Sequence, residues 1–284
     1  MMSESCKFDY IVIGDPVDHS RSPQMQNAAF EYYGMGSPYG KLRVDPLKIG
    51  EFARYARENF KGVNLTVPHK QIIIPFVDEI SPKAVACQSV NTLKIVEGKL
   101  YGYSTDGAGI SGAVLENFGI ALKDLHVVML GAGGAANAAA FELVWQQCAS
   151  LTIANRSVDK AETLVQKVAA HANGIPVNAI SLSDTTGLRN ALEKADLLLQ
   201  LTSLGLHDED PAPIDLKLLE LNSALHVFDA IYRPTPLLMR AKELGLPAAD
   251  GKEMLIFQGA ASFEIWTGLK APLDAMRKGY ALNG

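Results

Sequence analysis

The sequence feature that most constrains the fold is a glycine-rich turn, GAGGAA, that begins at Gly131. It follows a short apolar run at residues 125–130 and precedes an alanine-rich segment of helical character. Gly131, Gly133 and Ala136 fit the pattern G-x-G-x-x-A. The first glycine permits a tight turn, the second lets the backbone approach a pyrophosphate, and the small third residue allows close helix–strand packing. The turn therefore predicts a dinucleotide site in a Rossmann-type α/β domain.

The end of the next predicted strand indicates which dinucleotide is bound. An NAD-selective site usually places an acidic residue there, where it accepts hydrogen bonds from the ribose 2′-hydroxyl. This strand ends instead in Asn155-Arg156-Ser157, and Lys160 lies one turn into the following helix. A carboxylate would repel a 2′-phosphate, whereas Arg156 can bind it in a charge-assisted fork. We therefore expect NADP as the preferred cofactor, with NAD use possible.

Short apolar runs alternate with helical patterns along most of the chain, which is typical of an α/β protein. The predicted strands are 10–13, 39–44, 62–67, 125–130, 151–154, 175–177, 196–201 and 225–229, with a hairpin at 93–103 that turns at Glu97-Gly98. The predicted helices are 23–33, 46–60, 107–118, the alanine-rich segment to about 148, 158–171, 237–244, 253–266 and 272–276. From about residue 107 the strands and helices alternate regularly, which predicts a doubly wound parallel sheet and a domain boundary near residue 106.

Composition excludes several other classes of protein. The net charge is −5 without a basic excess, so a nucleic-acid partner is not expected. The longest apolar stretch, 127–141, is broken by glycines and Asn137, and the polar N-terminus lacks a signal-peptide core, so no membrane association is expected. Cys6, Cys87 and Cys148 lie far apart without a CxxC pair, which indicates reduced thiols in a cytoplasmic protein. The six histidines show no metal-ligand spacing, so we expect no metal.

Six further motifs occur in a fixed order over residues 10–268. They are GDPVDHSRSP from Gly14, GVNLTVPHK from Gly62, SVNT from Ser89, GYSTDG from Gly102, YRPTP from Tyr232 and GKEMLIFQG from Gly251. In this order the motifs resemble the shikimate dehydrogenase family. The resemblance implies an N-terminal α/β substrate domain, 1–106 with 239–284, and an inserted NADP-binding domain, 107–238. It also implies hydride transfer between a nicotinamide and the ring carbon of shikimate or 3-dehydroshikimate.

The resemblance assigns the catalytic roles to Lys70 and Asp106. Oxidation of a secondary alcohol needs a group that takes the hydroxyl proton as hydride leaves the carbon. Lys70 would relay this proton and, in the reductive direction, stabilise the developing alkoxide. Asp106 would hold the lysine and the substrate hydroxyl in place.

The resemblance also assigns the remaining site residues. The substrate-binding candidates are Ser20, Ser22, Thr66, Asn91, Tyr232 and Gln258, whose hydroxyl and amide groups suit a carboxylate and ring hydroxyls. The cofactor-binding candidates are Gly131, Ala132, Gly133, Gly134, Ala135, Asn155, Arg156, Ser157, Lys160 and Thr202. Taken alone, each hydroxyl or amide residue could equally be a turn or cap residue.

Some positions depart from the family pattern and leave alternatives open. Gln88-Ser89 stands where the family commonly has Gly-Ala, and Ser104 stands where it frequently has asparagine. Gln200-Leu201 replaces the Asn-Ala that usually precedes Thr-Ser. Lys252-Glu253 replaces a small or apolar pair. These changes keep a quinate/shikimate or aminoshikimate dehydrogenase with NAD or relaxed cofactor use as an alternative. A non-catalytic sensor that binds cofactor and a cyclohexene carboxylate is an alternative of another class. The partner expected in every case is a small molecule, and the chain is expected to be a monomer or a homodimer.

Overall fold

A computed structural model describes residues 8–282 of the chain, which divide by packing into two units. The first unit runs to Gly109 and resumes at Leu255, and the second unit, Ile110–Met254, is inserted between the two segments. The strands are β1 (Tyr10–Gly14), β2 (Tyr39–Arg43), β3 (Gly62–Leu65), β4 (Glu79–Ile80), β5 (Thr92–Val96), β6 (Lys99–Tyr103), β7 (His126–Leu130), β8 (Ser150–Asn155), β9 (Val177–Ser181), β10 (Leu197–Gln200), β11 (His226–Asp229) and β12 (Ala248–Ala249). The α-helices are α1 (Ser22–Tyr32), α2 (Ile49–Asn59), α3 (His69–Ile72), α4 (Pro82–Cys87), α5 (Asp106–Phe118), α6 (Gly134–Trp145), α7 (Val158–Ala169), α8 (Thr185–Leu192), α9 (Pro236–Glu243), α10 (Lys252–Thr267) and α11 (Leu273–Ala281).

The first unit is built on a mixed sheet with strand order β2-β1-β3-β5-β6-β4. Strand β1 is parallel to β2 and β3, whereas β5 is antiparallel to β3 and β6. Ile11 and Ile13 pack into one hydrophobic cluster and Tyr10 and Val12 into another. Successive side chains of a strand point to opposite faces, so both faces of this sheet carry a core.

The β5–β6 hairpin confirms the turn predicted at Glu97-Gly98. Both residues have positive φ, 50° and 74°, as a type I′ turn requires. The hairpin places the carboxyl end of β6 beside the start of β5, with Thr92 opposite Tyr103. The segment that begins α5 therefore lies next to the residues that precede β5.

Helix α10 joins the first unit although it lies far along the sequence. The Trp266 indole donates from Nε1 to the Leu93 carbonyl at 2.9 Å, and its ring lies 5.0 Å from that of Tyr10. The Gln26 amide donates to the Gly259 carbonyl at 2.9 Å. Apolar burial and these bonds fix the last helices of the chain on the first sheet.

The second unit contains a parallel sheet with strand order β12-β11-β10-β7-β8-β9. Counted from β7, this is the Rossmann order 3-2-1-4-5-6. The central strand β10 is buried along its whole length, as expected for a parallel strand covered on both faces. The predicted doubly wound sheet is confirmed.

Several local predictions differ from the structure. The strand predicted at 175–177 lies instead at Val177–Ser181, because Asn173 and Gly174 have positive φ and extend the preceding turn. Strand β9 is a partly exposed edge strand, so its apolar signal is weak. Helices α4 and α8 and the short strand β4 were not predicted. Packing assigns residues 239–254 to the second unit, because β12 pairs with β11.

Cys87 and Cys148 are both buried thiols, and Cys6 lies outside the described residues. Burial raises the pKa of Cys148 to about 11. Within residues 8–282 no helix has the length and apolar character needed to cross a bilayer. The same residues contain no group of three His, Cys, Asp or Glu side chains placed to hold a metal ion.

Candidate active site

A lysine and a carboxylate form a close pair in the first unit. Lys70 lies on α3, directly after β3, and Asp106 is the first residue of α5. The Lys70 Nζ lies 2.6 Å from the Asp106 Oδ2, and the two side chains are 20% and 5% exposed. The Lys70 carbonyl also accepts the Val90 N–H at 2.8 Å, which anchors α3 beside the hairpin. The structure thus brings the two predicted catalytic residues together.

The amide of Asn91 fixes the other carboxylate oxygen of Asp106. Its Nδ2 donates to the Asp106 Oδ1 at 2.8 Å and to the Thr105 Oγ1 at 2.9 Å, and it lies 3.4 Å from the Gln258 Oε1. Its Oδ1 accepts the Thr105 N–H at 2.9 Å. Asn91 is 1% exposed. Asn91 and Gln258, predicted as substrate ligands, are therefore in contact with each other, and Asn91 also donates to Asp106 of the pair.

This arrangement can move a proton. An ammonium has three donors, and within residues 8–282 the Lys70 Nζ has only Asp106 as a hydrogen-bond partner. Two N–H donors are thus available to an oxygen of a bound molecule. The Asp106 carboxylate is held on both oxygens, so it keeps the ammonium in one position.

The predicted serine and threonine ligands lie at the same edge of the first sheet. Ser20 follows β1 and Thr66 follows β3, and these neighbouring strands are parallel. The Ser22 N–H donates to the Ser20 Oγ at 3.3 Å, and the Thr66 N–H donates to the Ile13 carbonyl at 2.9 Å. Ser22 is buried at the start of α1, whereas Ser20 and Thr66 are half-buried. The carboxyl ends of parallel strands are the usual place for a ligand in such sheets.

Tyr232 belongs to the second unit and is 47% exposed. Its loop is shaped by the buried carboxylate of Asp229, which accepts the Ile231 N–H at 3.0 Å and the Thr235 O–H at 2.7 Å. The Thr235 Oγ1 in turn caps α9 by accepting the Leu238 N–H. Burial raises the pKa of Asp229 to about 6.

The glycine-rich turn of the second unit has the geometry of a phosphate cradle. Gly131 adopts φ +112°, and a Cβ there would lie 3.1 Å from the Leu201 carbonyl. A Cβ at Gly133 or Gly134 would meet no atom within 4 Å, so their backbone is open to a ligand. Helix α6 begins at Gly134 without a side-chain cap, which leaves N–H groups for an anion. Ala132 and Ala135, between and after these glycines, are half-buried.

The tip of β8 presents two cations. Arg156 and Lys160 are exposed, and neither side chain has a hydrogen bond or ion pair with any residue in the described range. The Asn155 side chain donates to the Ser157 carbonyl at 2.8 Å and closes the turn that carries Arg156. Strand β8 is parallel to β7, and the glycine cradle follows β7 at the same edge of the sheet. The two positive groups therefore fit a dinucleotide with a 2′-phosphate.

Thr202 follows β10, the other strand adjacent to β7. Its N–H donates to the Gln200 Oε1 at 2.6 Å, and its Oγ1 accepts the Leu204 N–H at 3.1 Å. The Gln200 Nε2 donates to the Leu204 carbonyl at 2.9 Å. Gln200, one of the departures from the family pattern, therefore closes this loop with its own amide.

Sequence reasoning missed three buried residues around the site: Thr92 is bonded to Asn91, Ser262 to the Gln258 carbonyl, and Tyr39 to Asn64. Tyr39 carries no local signal of such a role. Thr92 was quoted within the SVNT motif without a role, and Ser262 lies one helical turn after Gln258 on the same face of α10. That spacing is the signal that could have found Ser262.

The fold and site define a class of protein: a two-unit α/β protein with a dinucleotide cradle in one unit and a buried lysine–carboxylate pair in the other. Three stretches match families described as "Shikimate dehydrogenase substrate binding domain" (12–93), "Shikimate / quinate 5-dehydrogenase" (113–205) and "Shikimate 5'-dehydrogenase C-terminal domain" (251–278). A Methanopyrus kandleri relative named shikimate dehydrogenase (NADP(+)) is 36% identical over 270 residues, covering 94% of this chain and 92% of that protein. The chain belongs to the shikimate dehydrogenase family, which confirms the resemblance.

Two solved structures are similar along nearly the whole chain. The Thermus thermophilus shikimate 5-dehydrogenase in complex with NADP(H) and shikimate has a TM-score of 0.84 at 32% identity and covers 96% of this chain and 98% of its own. The Corynebacterium glutamicum quinate dehydrogenase in complex with NAD has a TM-score of 0.86 at 29% identity, and the match covers 95% of this chain and 97% of that protein. The predicted fold class, a substrate domain with a Rossmann-type domain, is confirmed.

Proposed function

We propose that this chain is an NADP-dependent shikimate dehydrogenase that reversibly reduces 3-dehydroshikimate to shikimate. The observation that carries the proposal is the largely buried Lys70–Asp106 pair at 2.6 Å, whose second carboxylate oxygen accepts a hydrogen bond from Asn91. Relatives named for this activity with NADP(+) support the reaction and the cofactor.

Lys70 acts on the hydroxyl that is oxidised. In oxidation the neutral amine form of Lys70 accepts the O–H proton as hydride leaves the carbon, and in reduction the Lys70 ammonium returns that proton to the forming alkoxide. Asp106 keeps Lys70 in place with one oxygen, while Asn91 holds the other. Gln258, in contact with the Asn91 amide, offers an acceptor and donors to a ring hydroxyl. Ser20, Ser22 and Thr66 bind the substrate carboxylate, a role that the family resemblance also gives to Tyr232.

The second unit binds the cofactor. When bound, NADP supplies the acceptor for the hydride that leaves the carbinol carbon, or the donor in the reverse direction. The open backbone at Gly133 and Gly134 and the uncapped start of α6 bind the pyrophosphate. Arg156 and Lys160 bind the 2′-phosphate, with Asn155 and Ser157 shaping their turn, and the Thr202 loop lies at the nicotinamide end.

We also propose that the protein works in the cytoplasm, for which the buried thiols of Cys87 and Cys148 are the supporting observation. The functional boundaries, 1–106 with 239–284 for substrate and 107–238 for cofactor, are proposals as well. The inserted position of the second unit supports this order of domains. A monomer or a homodimer remains our prediction for the oligomeric state.

A nicotinamide absorbance assay tests the proposal. The purified protein is combined with shikimate or quinate and with NADP⁺ or NAD⁺, each over a wide concentration range. We expect reduction of NADP⁺ with shikimate at the highest kcat/KM. A preference for quinate or for NAD⁺ would instead favour the quinate/shikimate alternative. Tight binding of both ligands without turnover would favour the sensor.

A further inference from the structure

A set of buried polar side chains adjoins the lysine–carboxylate pair. We call it the hydroxyl cluster: Tyr39, Asn64, Thr92 and Ser262. The Tyr39 O–H donates to the Asn64 Oδ1 at 2.8 Å, which fixes the orientation of the Asn64 amide. The Asn64 Nδ2 then points to the Ser262 Oγ at 3.0 Å and the Thr92 Oγ1 at 3.1 Å. Members of the cluster come from β2, β3, β5 and α10, so the cluster ties four elements together.

Ser262 lies at the centre of this set. Its hydroxyl oxygen is 2.7 Å from the Thr92 Oγ1, 3.0 Å from the Gln258 carbonyl oxygen and 3.3 Å from the Thr105 Oγ1. Because the single Thr92 hydroxyl proton goes to the Asn91 Oδ1, the Ser262 O–H is the donor in the 2.7 Å contact with Thr92. Ser262 is fully buried. Serine has no advantage over alanine in a helix interior, and a buried hydroxyl must be hydrogen-bonded to avoid a desolvation cost. Helix stability and packing therefore give no reason for a hydroxyl at this position.

The cluster reaches the pair through Asn91. The Thr92 O–H donates to the Asn91 Oδ1 at 3.1 Å, on the side of the amide opposite to the Nδ2 that binds Asp106. A rotation of the Asn91 amide would turn its carbonyl oxygen toward the Asp106 carboxylate, where two acceptors would face each other. The Thr92 and Thr105 donors oppose that rotation.

We propose that Ser262 and Thr92 are positioning residues for the reaction. Together they hold the Asn91 amide in one orientation, and Asn91 in turn holds Asp106 and Lys70. This inference rests on the proposed function, because it assigns the cluster to the same proton transfer. Neither residue touches the substrate in this assignment, so their loss changes the proton step more than substrate binding.

The first variant is Ser262→Ala, which removes only the hydroxyl group and is compatible with a helix. We expect kcat to fall about tenfold, or ~1.4 kcal/mol, while the KM for shikimate changes by less than about twofold. The pH profile of kcat should shift, because the lysine is held less firmly. The control is Thr267→Ala on the same helix, which removes a hydroxyl bonded to the Phe263 carbonyl at 2.8 Å but away from the cluster. This control should keep the kcat and the pH profile of the parent protein.

A second pair of variants keeps the test open if Ser262→Ala does not fold. Thr92→Val keeps the shape and removes the hydroxyl, whereas Thr92→Ser keeps the hydroxyl. We expect Thr92→Val to lower kcat and shift the pH profile as Ser262→Ala does, and Thr92→Ser to recover most of that loss. Equal defects in the two variants would show that packing, not the hydroxyl, matters, and would overturn the proposal.

A measurement without turnover separates this inference from the proposed function. The Lys70 NH₃⁺ signal in ¹⁵N-edited spectra of the protein without ligands is assigned by its absence in Lys70→Arg. We expect a signal in the parent protein and its broadening in Ser262→Ala and Thr92→Val. If the parent protein turns over neither shikimate nor quinate, the proposed function fails, and this signal alone decides whether the cluster positions Lys70. An unchanged signal, or an unchanged kcat and pH profile in an active protein, would overturn the positioning role.

Discussion

The two units of this protein differ in the groups that form their candidate sites. In the first unit the site consists of side chains that are already hydrogen-bonded to one another: the partly buried Lys70 and the buried Asp106 and Asn91. In the second unit it consists of open glycine backbone at Gly133 and Gly134 and of exposed cations. The first arrangement is preorganised for a small molecule and a proton transfer. The second is suited to a long anionic ligand that supplies most of the contacts itself.

The hydrogen-bond partners of the buried carboxylates Asp106 and Asp229 also differ between the two units. Asp106 has a cation and an amide on its two oxygens. Within residues 8–282, the Asp229 carboxylate accepts hydrogen bonds only from the Ile231 N–H and the Thr235 O–H, and burial raises its pKa to about 6. The carboxylate for which we propose a catalytic role is thus paired with a charge, whereas the carboxylate that shapes a loop is stabilised by neutral donors. Variants in each unit test this difference.

The largest effect is expected from Lys70→Ala. The first-unit site loses its proton donor, so kcat/KM for shikimate should fall by about 100-fold or more. The matched control is Lys61→Ala, which breaks a surface pair with Asp9 at 2.8 Å and should leave turnover unchanged. Steady-state assays of both variants make the comparison. A loss below about tenfold, ~1.4 kcal/mol, would contradict the catalytic role.

Asp229→Asn is expected to change how stability depends on pH. The folded-state pKa of about 6 lies above the ordinary value of 3.8, so the folded state holds a proton that the unfolded chain has released. This contribution is fully present below pH 3.8 and is lost as the pH rises through 6. The variant should therefore gain stability relative to the parent between these values, by at most about 3 kcal/mol. Urea unfolding from pH 4 to pH 7 measures the difference.

Asp210 provides a control of opposite sign for that prediction. The His207 N–H, at 3.0 Å, and the Gly205 N–H hold the pKa of Asp210 below its ordinary value. Asp210→Asn should therefore lose stability at neutral pH, and the loss should vanish as the pH falls below about 4. Parallel pH dependence in the two variants would refute the account of Asp229.

Arg156→Ala should weaken NADP far more than NAD. The loss of one charge-assisted contact to the 2′-phosphate corresponds to about 1.5–3 kcal/mol, or roughly 10- to 150-fold in the ratio of kcat/KM values. Arg189→Ala, at an exposed position on α8, is the control and should leave the ratio unchanged. Equal losses with both cofactors would reject recognition of the 2′-phosphate.

The smallest effect is expected at the end of α6. Gln147 has φ +59°, and the bonds Cys148 N–H to Leu143 carbonyl and Gln147 N–H to Val144 carbonyl form a Schellman motif. Gln147→Gly should stabilise the second unit by about 0.5–1 kcal/mol without a change in turnover. Gln146→Gly, where φ is −83°, should give no gain. Thermal unfolding measures the Tm of both variants. An equal change in Tm for the two would contradict the role given to the positive φ at Gln147.

The parts of the molecule that sequence predicted are those with local signals. The glycine turn at Gly131, the hairpin turn at Glu97 and the doubly wound parallel sheet of the second unit follow from short stretches of chain. Lys70 and Asp106 were assigned through family motifs, and the structure brings them together. Composition alone would have left Lys70 as an ordinary surface lysine.

That the four residues of the hydroxyl cluster meet could not be predicted from the sequence, for a physical reason. Tyr39, Asn64, Thr92 and Ser262 meet only because β2, β3, β5 and α10 pack together, and no periodicity links positions so far apart. Strand β9 was misplaced because an edge strand buries only part of its side chains. Helix α8 was missed because it spans only eight residues and has just Leu188 and Leu192 buried.

The discontinuous first unit has a consequence for synthesis. A ribosome delivers Ile110–Met254 before Leu255, so the second unit can complete its sheet while the first still lacks α10 and α11. Until then the Leu93 carbonyl has no Trp266 donor, and Asn64 and Thr92 have no Ser262. The dinucleotide cradle can therefore form on the nascent chain, whereas Gln258 and Ser262 reach Asn91 and Thr92 only after the last helices have emerged.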